Sequence, residues 1–541
     1  MPGRSPTPPL ATGAAHTDPP GRHRAARQRL RPGTSRALAG SLLAAVGLLT
    51  VALRLLGLQR ASDLFVDEVI YDDVSASVSD GGFPRTDKGL FFLHPPGFFY
   101  LRAGWGKLLG GHPDVVAGVY DGRALNAVLA GVTAVLLMLL VTDVARWKAG
   151  VTAGLLFATD PYCIRQNDRA ILETATLLWV LAGYLLLIAL TRDPLPRRAG
   201  LRAAGAGLCF GLAVLTRDQA ALITVVPMGA ALILSWGPPR RLAAVCGGVA
   251  VSCYAIYLIV VAAAGHFGAF WDSKTYGMRR LLGITQATGF NAPRGNALSE
   301  RLFAELPTFW PTYTLLLLGT VAFVVLVRRP DRTHRLLALF QLSAGLALGY
   351  ALALGTLEEK FLYLLVVPTI AAVTVAASLV LSGRHVPLWR AGTRRYSVLR
   401  TLVVVFVAAT LAASGVSYAR SRTGTEDGFA QLRVYMNDHV PRGSVVVATD
   451  GESTAGITKW TFDGDYDVRR AEGNHPAARY AIIPWKLVDD GYTRLTPGGA
   501  RHLVKGGTLL FSTHSDLYGK LALYRLPPPH PSAKDRPHVP R

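Results

Sequence analysis

Apolar runs of about the length needed to cross a bilayer recur through roughly the first 420 residues. A water-soluble chain of 541 residues would divide into several domains with polar surfaces between them. Here the polar stretches are short gaps between apolar runs, and half of all residues are hydrophobic. The expected fold is an all-α polytopic membrane domain of about eleven helices plus a small α/β domain at the C-terminus. The predicted spans are 37–58, 121–142, 149–163, 170–191, 201–215, 219–236, 242–264, 311–327, 335–354, 361–382 and 400–418. The third and fifth are short and need tilt or continuation by less apolar residues. The first run lacks a small-residue cleavage site and reads as a retained helix, not a removed signal peptide.

The net charge of +22 is high enough to suggest nucleic acid on a soluble protein. Its distribution excludes that reading, because Lys and Arg gather in every second gap. With a cytoplasmic N-terminus these gaps hold Arg146 and Lys148, Arg192 to Arg198, Arg240 and Arg241, Arg328 to Arg335, and Arg384 to Arg395. That is the positive-inside pattern, and an odd number of spans then places the C-terminal domain outside. The four cysteines, Cys163, Cys209, Cys246 and Cys253, lie in or near apolar runs and form no CxxC pair. They read as packing residues.

The predicted organisation is a disordered basic N-terminus (1–36), a membrane domain (37–418) with long outside loops at 59–120 and 265–310, an outside α/β domain (419–526) and a loose Pro-rich end (527–541). In the tail a helix over 428–439 precedes short buried strands at 443–449, 480–484, 507–512 and 521–525. No internal repeat is visible.

Ionisable residues concentrate on the outside face. Asp67-Glu68, with Tyr71, follows the first span; it is either a solvated turn or a general base or metal ligand held at the interface. His94-Pro-Pro-Gly with following aromatics suits the interfacial belt, and His94 is either structural or a phosphate contact. Arg165, Arg169 and Glu173 recur every four residues, as on one helical face, and Glu173 sits at the mouth of a span. Arg123 opens another span, while Arg217 and Lys360, the latter close to Tyr363, occupy tight outside turns. Each alone reads equally as a snorkelling charge at a helix end. Together they place cations and carboxylates on one side of the membrane, where cations stabilise a departing phosphate.

Taken in order, these segments resemble the GT-C superfamily of integral-membrane glycosyltransferases, in the style of protein O-mannosyltransferases and the aminoarabinose transferases that modify lipid A. Asp67-Glu68 matches the family's acidic pair, and His94-Pro-Pro its Lys-Pro-Pro. Arg123-Ala-Leu-Asn matches an Arg-headed span, and Arg165 to Glu173 a Ser-Arg…Asp/Glu segment. Gly211 to Arg217 matches a Gly-Leu-Ala-Phe-Leu-Thr-Lys turn, and Lys360 to Tyr363 with Pro368 a late Lys…Tyr-Leu-Leu-Pro turn. The resemblance spans most of 40–380 and departs from the pattern at His94 and Glu173.

It implies a membrane glycosyltransferase that moves a sugar from a polyprenyl-phosphate donor to an acceptor hydroxyl on the extracytoplasmic face, with inversion. Asp67 would be the base, with Glu68 and Glu173 orienting donor or acceptor or sharing an ion. Arg123, Arg217, Lys360 and His94 would hold the donor phosphate. Tyr71, Arg165, Arg169 and Tyr363 would orient donor or acceptor. No cofactor is certain, a divalent cation being the candidate. The partners would be the lipid donor, a protein, lipid or polysaccharide acceptor, and membrane lipids at the plasma membrane. A transporter or flippase of lipid-linked sugars is the alternative, against which stand the one-sided charges and the missing inverted repeat. A non-catalytic scaffold presenting the tail is a further reading.

Overall fold

The computed structural model describes residues 34–112, 114–192, 198–282, 284, 298–353, 359–382, 394–423, 426–450, 456–471, 477–493 and 495–528. The expected disordered N-terminus, apart from 34–36, and the Pro-rich end beyond 528 lie outside them. The chain divides into a short unit, Met1–Leu42, and a body, Leu43–Arg541, and the contacts below belong to the body.

Helix α1 (Thr34–Leu55) is followed by α2 (Val66–Ser77), a small hairpin of β1 (Arg85–Thr86) and β2 (Gly89–Leu90), α3 (Gly97–Leu109) and the long α4 (Val115–Val144). Next come α5 (Trp147–Thr159), α6 (Pro161–Asn167), α7 (Leu172–Arg192) and α8 (Ala199–Thr216). A 3-10 turn at Asp218–Ile223 leads into α9 (Val225–Leu234), α10 (Arg240–Ala263) and α11 (Phe267–Leu281). The helical part closes with α12 (Leu298–Val327), α13 (Arg332–Ala353), α14 (Glu359–Leu381) and α15 (Arg394–Thr423).

Among the described residues eight helices are long and apolar enough to cross a membrane: α1, α4, α7, α8, α10, α12, α14 and α15. The other three predicted spans fall on helices too: α5 and α9 are shorter, and α13 carries His334, Arg335 and Gln341. Large apolar side chains such as Leu48, Ile256, Ile259 and Leu317 point outward on these helices. Water would penalise that surface and a bilayer accommodates it. Inside, α4, α5, α7, α8 and α14 pack with α12 and α13 around one apolar core containing Leu137, Phe157, Tyr184, Phe210, Phe340 and Val366.

The tail folds as α16 (Gly428–His439), β3 (Val445–Ala448), α17 (Ile457–Phe462), β4 (Asp467–Arg470), β5 (Tyr480–Pro484), α18 (Trp485–Asp489), α19 (Pro497–Leu503), β6 (Thr508–Ser515) and β7 (Gly519–Arg525). The strands form one sheet in the order β4-β3-β5-β7-β6. β3 is parallel to both β4 and β5, and β7 is antiparallel to β5 and β6. The continuous apolar runs Val445–Ala448 and Tyr480–Pro484 become central strands because both faces of each are covered.

The tail shares a core with the membrane part. Leu64, Val69 and Val119 pack with Phe429, Leu432, Met436 and Tyr518. Polar contacts fix the same seam. One Asp63 carboxylate oxygen accepts from the amides of Leu64 (2.8 Å) and Phe429 (3.0 Å), and the Tyr518 hydroxyl donates to the Leu64 carbonyl at 2.6 Å. Arg422, at the end of α15, pairs with Asp168 at 2.8 Å. The tail is therefore held against the turn from which α2 starts.

Candidate functional site

The order of the site begins with a buried ion pair. Glu68, in the first turn of α2, and Arg123, on α4, are both fully buried. Arg123 donates from Nε and Nη2 to the two Glu68 oxygens, each at 2.8 Å, the bidentate geometry that suits a guanidinium. Its remaining N–H groups go to the carbonyls of Leu58, Ser62 and Asp63. Glu68 also accepts from the amides of Phe65 (3.1 Å) and Ala170 (2.7 Å). The pair thus pins together the end of the α1–α2 loop, the start of α2, and the loop before α7. Asn126, one turn further along α4, holds that second loop by donating to the carbonyls of Arg169 and Ile171.

A second arginine grips the other side of α2. Arg102, on α3, donates to the Glu68 carbonyl (3.1 Å), to Asp72 (2.8 Å) and to the Gly118 carbonyl (3.0 Å). Gly122 is what lets these elements meet. A Cβ there would lie 2.8 Å from both the Ala170 methyl and the Arg102 guanidinium carbon.

The residue between these anchors, Asp67, is half-buried and lines a cavity of 1650 Å³. The same cavity is lined by Tyr71, His94, Arg165, Arg169, Glu173 and Arg217. Of the eleven residues expected from the sequence, seven therefore line the cavity, while Glu68, next to Asp67 in the chain, is paired with Arg123 outside the lining. The Tyr71 ring meets His94 edge-on at 5.8 Å and packs against Phe98 and Phe99. Arg169 lies over the Phe65 ring at 4.8 Å, and Arg165 lies over Phe309 at 5.3 Å and 4.0 Å from Glu305. Glu173 and Arg217, both buried, form an ion pair in the wall, and Arg217 also donates to Gln219 at 2.9 Å. Tyr363 is buried away from the cavity and accepts from Asn167 at 2.6 Å. Lys360 lies in the first turn of α14, and its side chain is outside the described ones.

The cavity contains groups that the sequence reading did not single out. Lys274 on α11 pairs with Asp218 at 2.7 Å and donates to the Leu93 carbonyl at 3.3 Å. Tyr254 donates to the other Asp218 oxygen at 2.8 Å. Burial lowers the Lys274 pKa from its ordinary value, and the charge of Asp218 opposes that. The signals were present: Asp218 follows Arg217 directly, and Lys274 sits in the long outside loop 265–310. Next to these polar groups the lining turns apolar, through Leu222, Leu258, Phe270 and Leu281.

Among the described residues no group of three or more His, Cys, Asp and Glu side chains is placed to hold a metal ion.

No family model and no curated protein matches the chain. Solved structures do. The archaeal oligosaccharyltransferase AglB from Archaeoglobus fulgidus, in complex with an inhibitory peptide and a dolichol-phosphate, superposes with a TM-score of 0.57 at 14% identity, over 93% of this chain and 75% of that one. ArnT from Cupriavidus metallidurans bound to undecaprenyl phosphate gives 0.55 at 12% identity, over 91% and 98%. The Archaeoglobus fulgidus oligosaccharyltransferase in complex with Zn and sulfate gives 0.53 at 12%, over 90% and 74%. The chain therefore has the fold of the GT-C glycosyltransferases, a multi-pass helical membrane domain carrying a small sheet domain.

Proposed function

We propose that this protein is a membrane glycosyltransferase that takes a sugar from a polyprenyl-phosphate donor and transfers it to an acceptor hydroxyl on the extracytoplasmic face. The observation that supports this most is the single cavity shared by a carboxylate, Asp67, and by the basic groups Arg165, Arg169, Arg217 and Lys274, with an apolar flank on α10 and α11. An isoprenoid chain fits the apolar flank, and its phosphate fits the basic part. That two structures of the same fold hold dolichol-phosphate or undecaprenyl phosphate is consistent with such a donor.

In the proposed reaction the acceptor hydroxyl gives its proton to Asp67 as its oxygen attacks the anomeric carbon. The bond from that carbon to the phosphate oxygen breaks, and the polyprenyl phosphate leaves with the electron pair. One direct displacement inverts the anomeric centre. Negative charge grows on the phosphate as the bond lengthens, so preorganised cations act on the transition state more than on the ground state. Arg217 and Lys274, with Lys360 and His94 in support, take that role. Each of Arg217 and Lys274 is already held by a carboxylate, Glu173 and Asp218, which fixes its direction in advance.

Arg123 is given a different task from the one its motif implied. Its N–H groups are all directed to Glu68 and backbone carbonyls, so it positions α2 and does not touch the phosphate. Glu68 likewise fixes the start of α2, accepting from Arg123 and from the amides of Phe65 and Ala170, and so positions Asp67 beside it in the chain. Arg165, Arg169 and Tyr71 orient the substrates.

The test is a panel of labelled polyprenyl-phosphate sugars offered to the purified full-length protein in lipid nanodiscs, with membrane extracts as acceptors. Consumption of one donor with transfer of label is the expected result. No consumption of any donor, together with movement of a lipid-linked sugar between leaflets in proteoliposomes, would overturn the reading in favour of a flippase.

A further inference from the structure

The far wall of the cavity is built by the tail, and its placement follows from sheet topology. From β3 the chain goes first to β4 on one side and then to β5 on the other. Both pairings are parallel, so a crevice opens outside the carboxyl ends of β3 and β5, where the order reverses. In open parallel sheets, ligands bind at such a switch point. Residues that follow the two strands, Asp450 after β3 and Lys486, Leu487 and Asp490 to Tyr492 after β5, line the cavity.

Asp450 carries an unmet requirement. It is 6% exposed, and one oxygen accepts from the Thr458 amide at 2.9 Å. The other oxygen, Oδ1, is buried without a hydrogen-bond partner among the described residues. A buried carboxylate oxygen left unpaired costs free energy, which a ligand donor recovers. Trp460 stands in the same wall, and its Nε1 likewise has no partner. Gly456 lets the chain pass close to Asp450, because a Cβ there would fall 2.8 Å from the engaged Asp450 oxygen.

The chemistry of this wall is selective. Glu426, Asp450, Asp490 and Asp516 line it, which disfavours phosphate- or carboxylate-bearing acceptors. Lys486 donates to the Asp516 carbonyl. A carboxylate that lacks a donor, beside a tryptophan and Tyr492, matches the two faces of a sugar ring: hydroxyls that donate, and C–H surfaces that pack on aromatic rings. An extended peptide would seek an unpaired strand edge, whereas β3 and β5 are both paired on either side.

We propose that the switch-point crevice of the tail is a saccharide subsite, with Asp450 accepting from a ring hydroxyl, and that it holds an uncharged glycan acceptor facing Asp67. Its role as acceptor site rests on the transferase reading above; the binding itself does not. The experiment is calorimetric titration of the full-length protein in nanodiscs with uncharged manno-, arabino- and gluco-oligosaccharides and with a Ser/Thr-rich peptide. The expected result is saturable binding of at least one oligosaccharide, weakened about tenfold or more in Asp450→Asn and also in Trp460→Phe, with unchanged thermal unfolding of both variants. Absence of oligosaccharide binding by the wild type, binding equally strong in both variants, or binding of the peptide alone would overturn it. Donor consumption is measured on the same preparation. Its failure removes the transferase reading while the titration still decides whether the crevice binds saccharide.

Discussion

Asp67→Asn lowers sugar transfer by about a hundredfold or more, the scale of a lost general base, while donor KM changes little. The substitution keeps the size of the side chain and removes its capacity to take a proton. Asp67 lines the cavity, whereas its neighbour Glu68 is fully buried against Arg123. Of this adjacent acidic pair, then, one member faces the cavity and the other faces the protein. Rates measured at saturating donor and acceptor separate chemistry from binding. Turnover equal to that of the wild type would mean that the proton goes elsewhere, with the transferase reading intact and the base misassigned.

Arg123→Gln gives the largest loss of stability. Removing one partner of a buried ion pair leaves the other charge uncompensated and costs roughly 3–5 kcal/mol. Here the remaining charge would be Glu68, 0% exposed. Three backbone carbonyls would lose their donors as well. The expected outcome is a lower unfolding temperature in detergent and little active protein. Arg123→Lys does not restore it, because an ammonium cannot reproduce the planar fork. Combining Arg123→Gln with Glu68→Gln recovers part of the loss, since the two residues share one interaction. An unchanged unfolding temperature in Arg123→Gln would remove the positioning role assigned to the pair.

These two expectations also show where sequence reasoning reached its end. Apolar run length located the spans because a bilayer imposes a fixed thickness on any crossing segment. It also placed spans on α5, α9 and α13, which fall outside the eight helices that are by themselves long and apolar enough to cross. In the tail the helix Gly428–His439 and the strands around Val445, Tyr480, Thr508 and Leu521 were legible from local pattern. β4 was not. Its sequence, Asp467-Val-Arg-Arg470, is charged because it lies at the sheet edge, where only one side is paired.

The same division holds in the site. Asp67, His94, Arg165 and Arg217 stood out because ionisable groups at membrane boundaries are expensive to keep. What each of them touches was not visible. The Glu68–Arg123 pair joins residues 55 apart in sequence, and Lys274 reaches Asp218 across 56. Contacts of that range are set by helix packing, for which a single chain offers no local signal. Asp450 was hidden for a further reason: its importance comes from the order of strands in a sheet, and topology is not written at any one position.

The most direct measurement is a structure of the protein in nanodiscs with undecaprenyl phosphate. The phosphate is expected within hydrogen-bonding distance of Arg217 or Lys274, in the cavity that Asp67 lines, with the isoprenoid chain running along Leu222 and Leu258. A phosphate bound outside this cavity, or a cavity that stays empty at saturating lipid, would contradict the account.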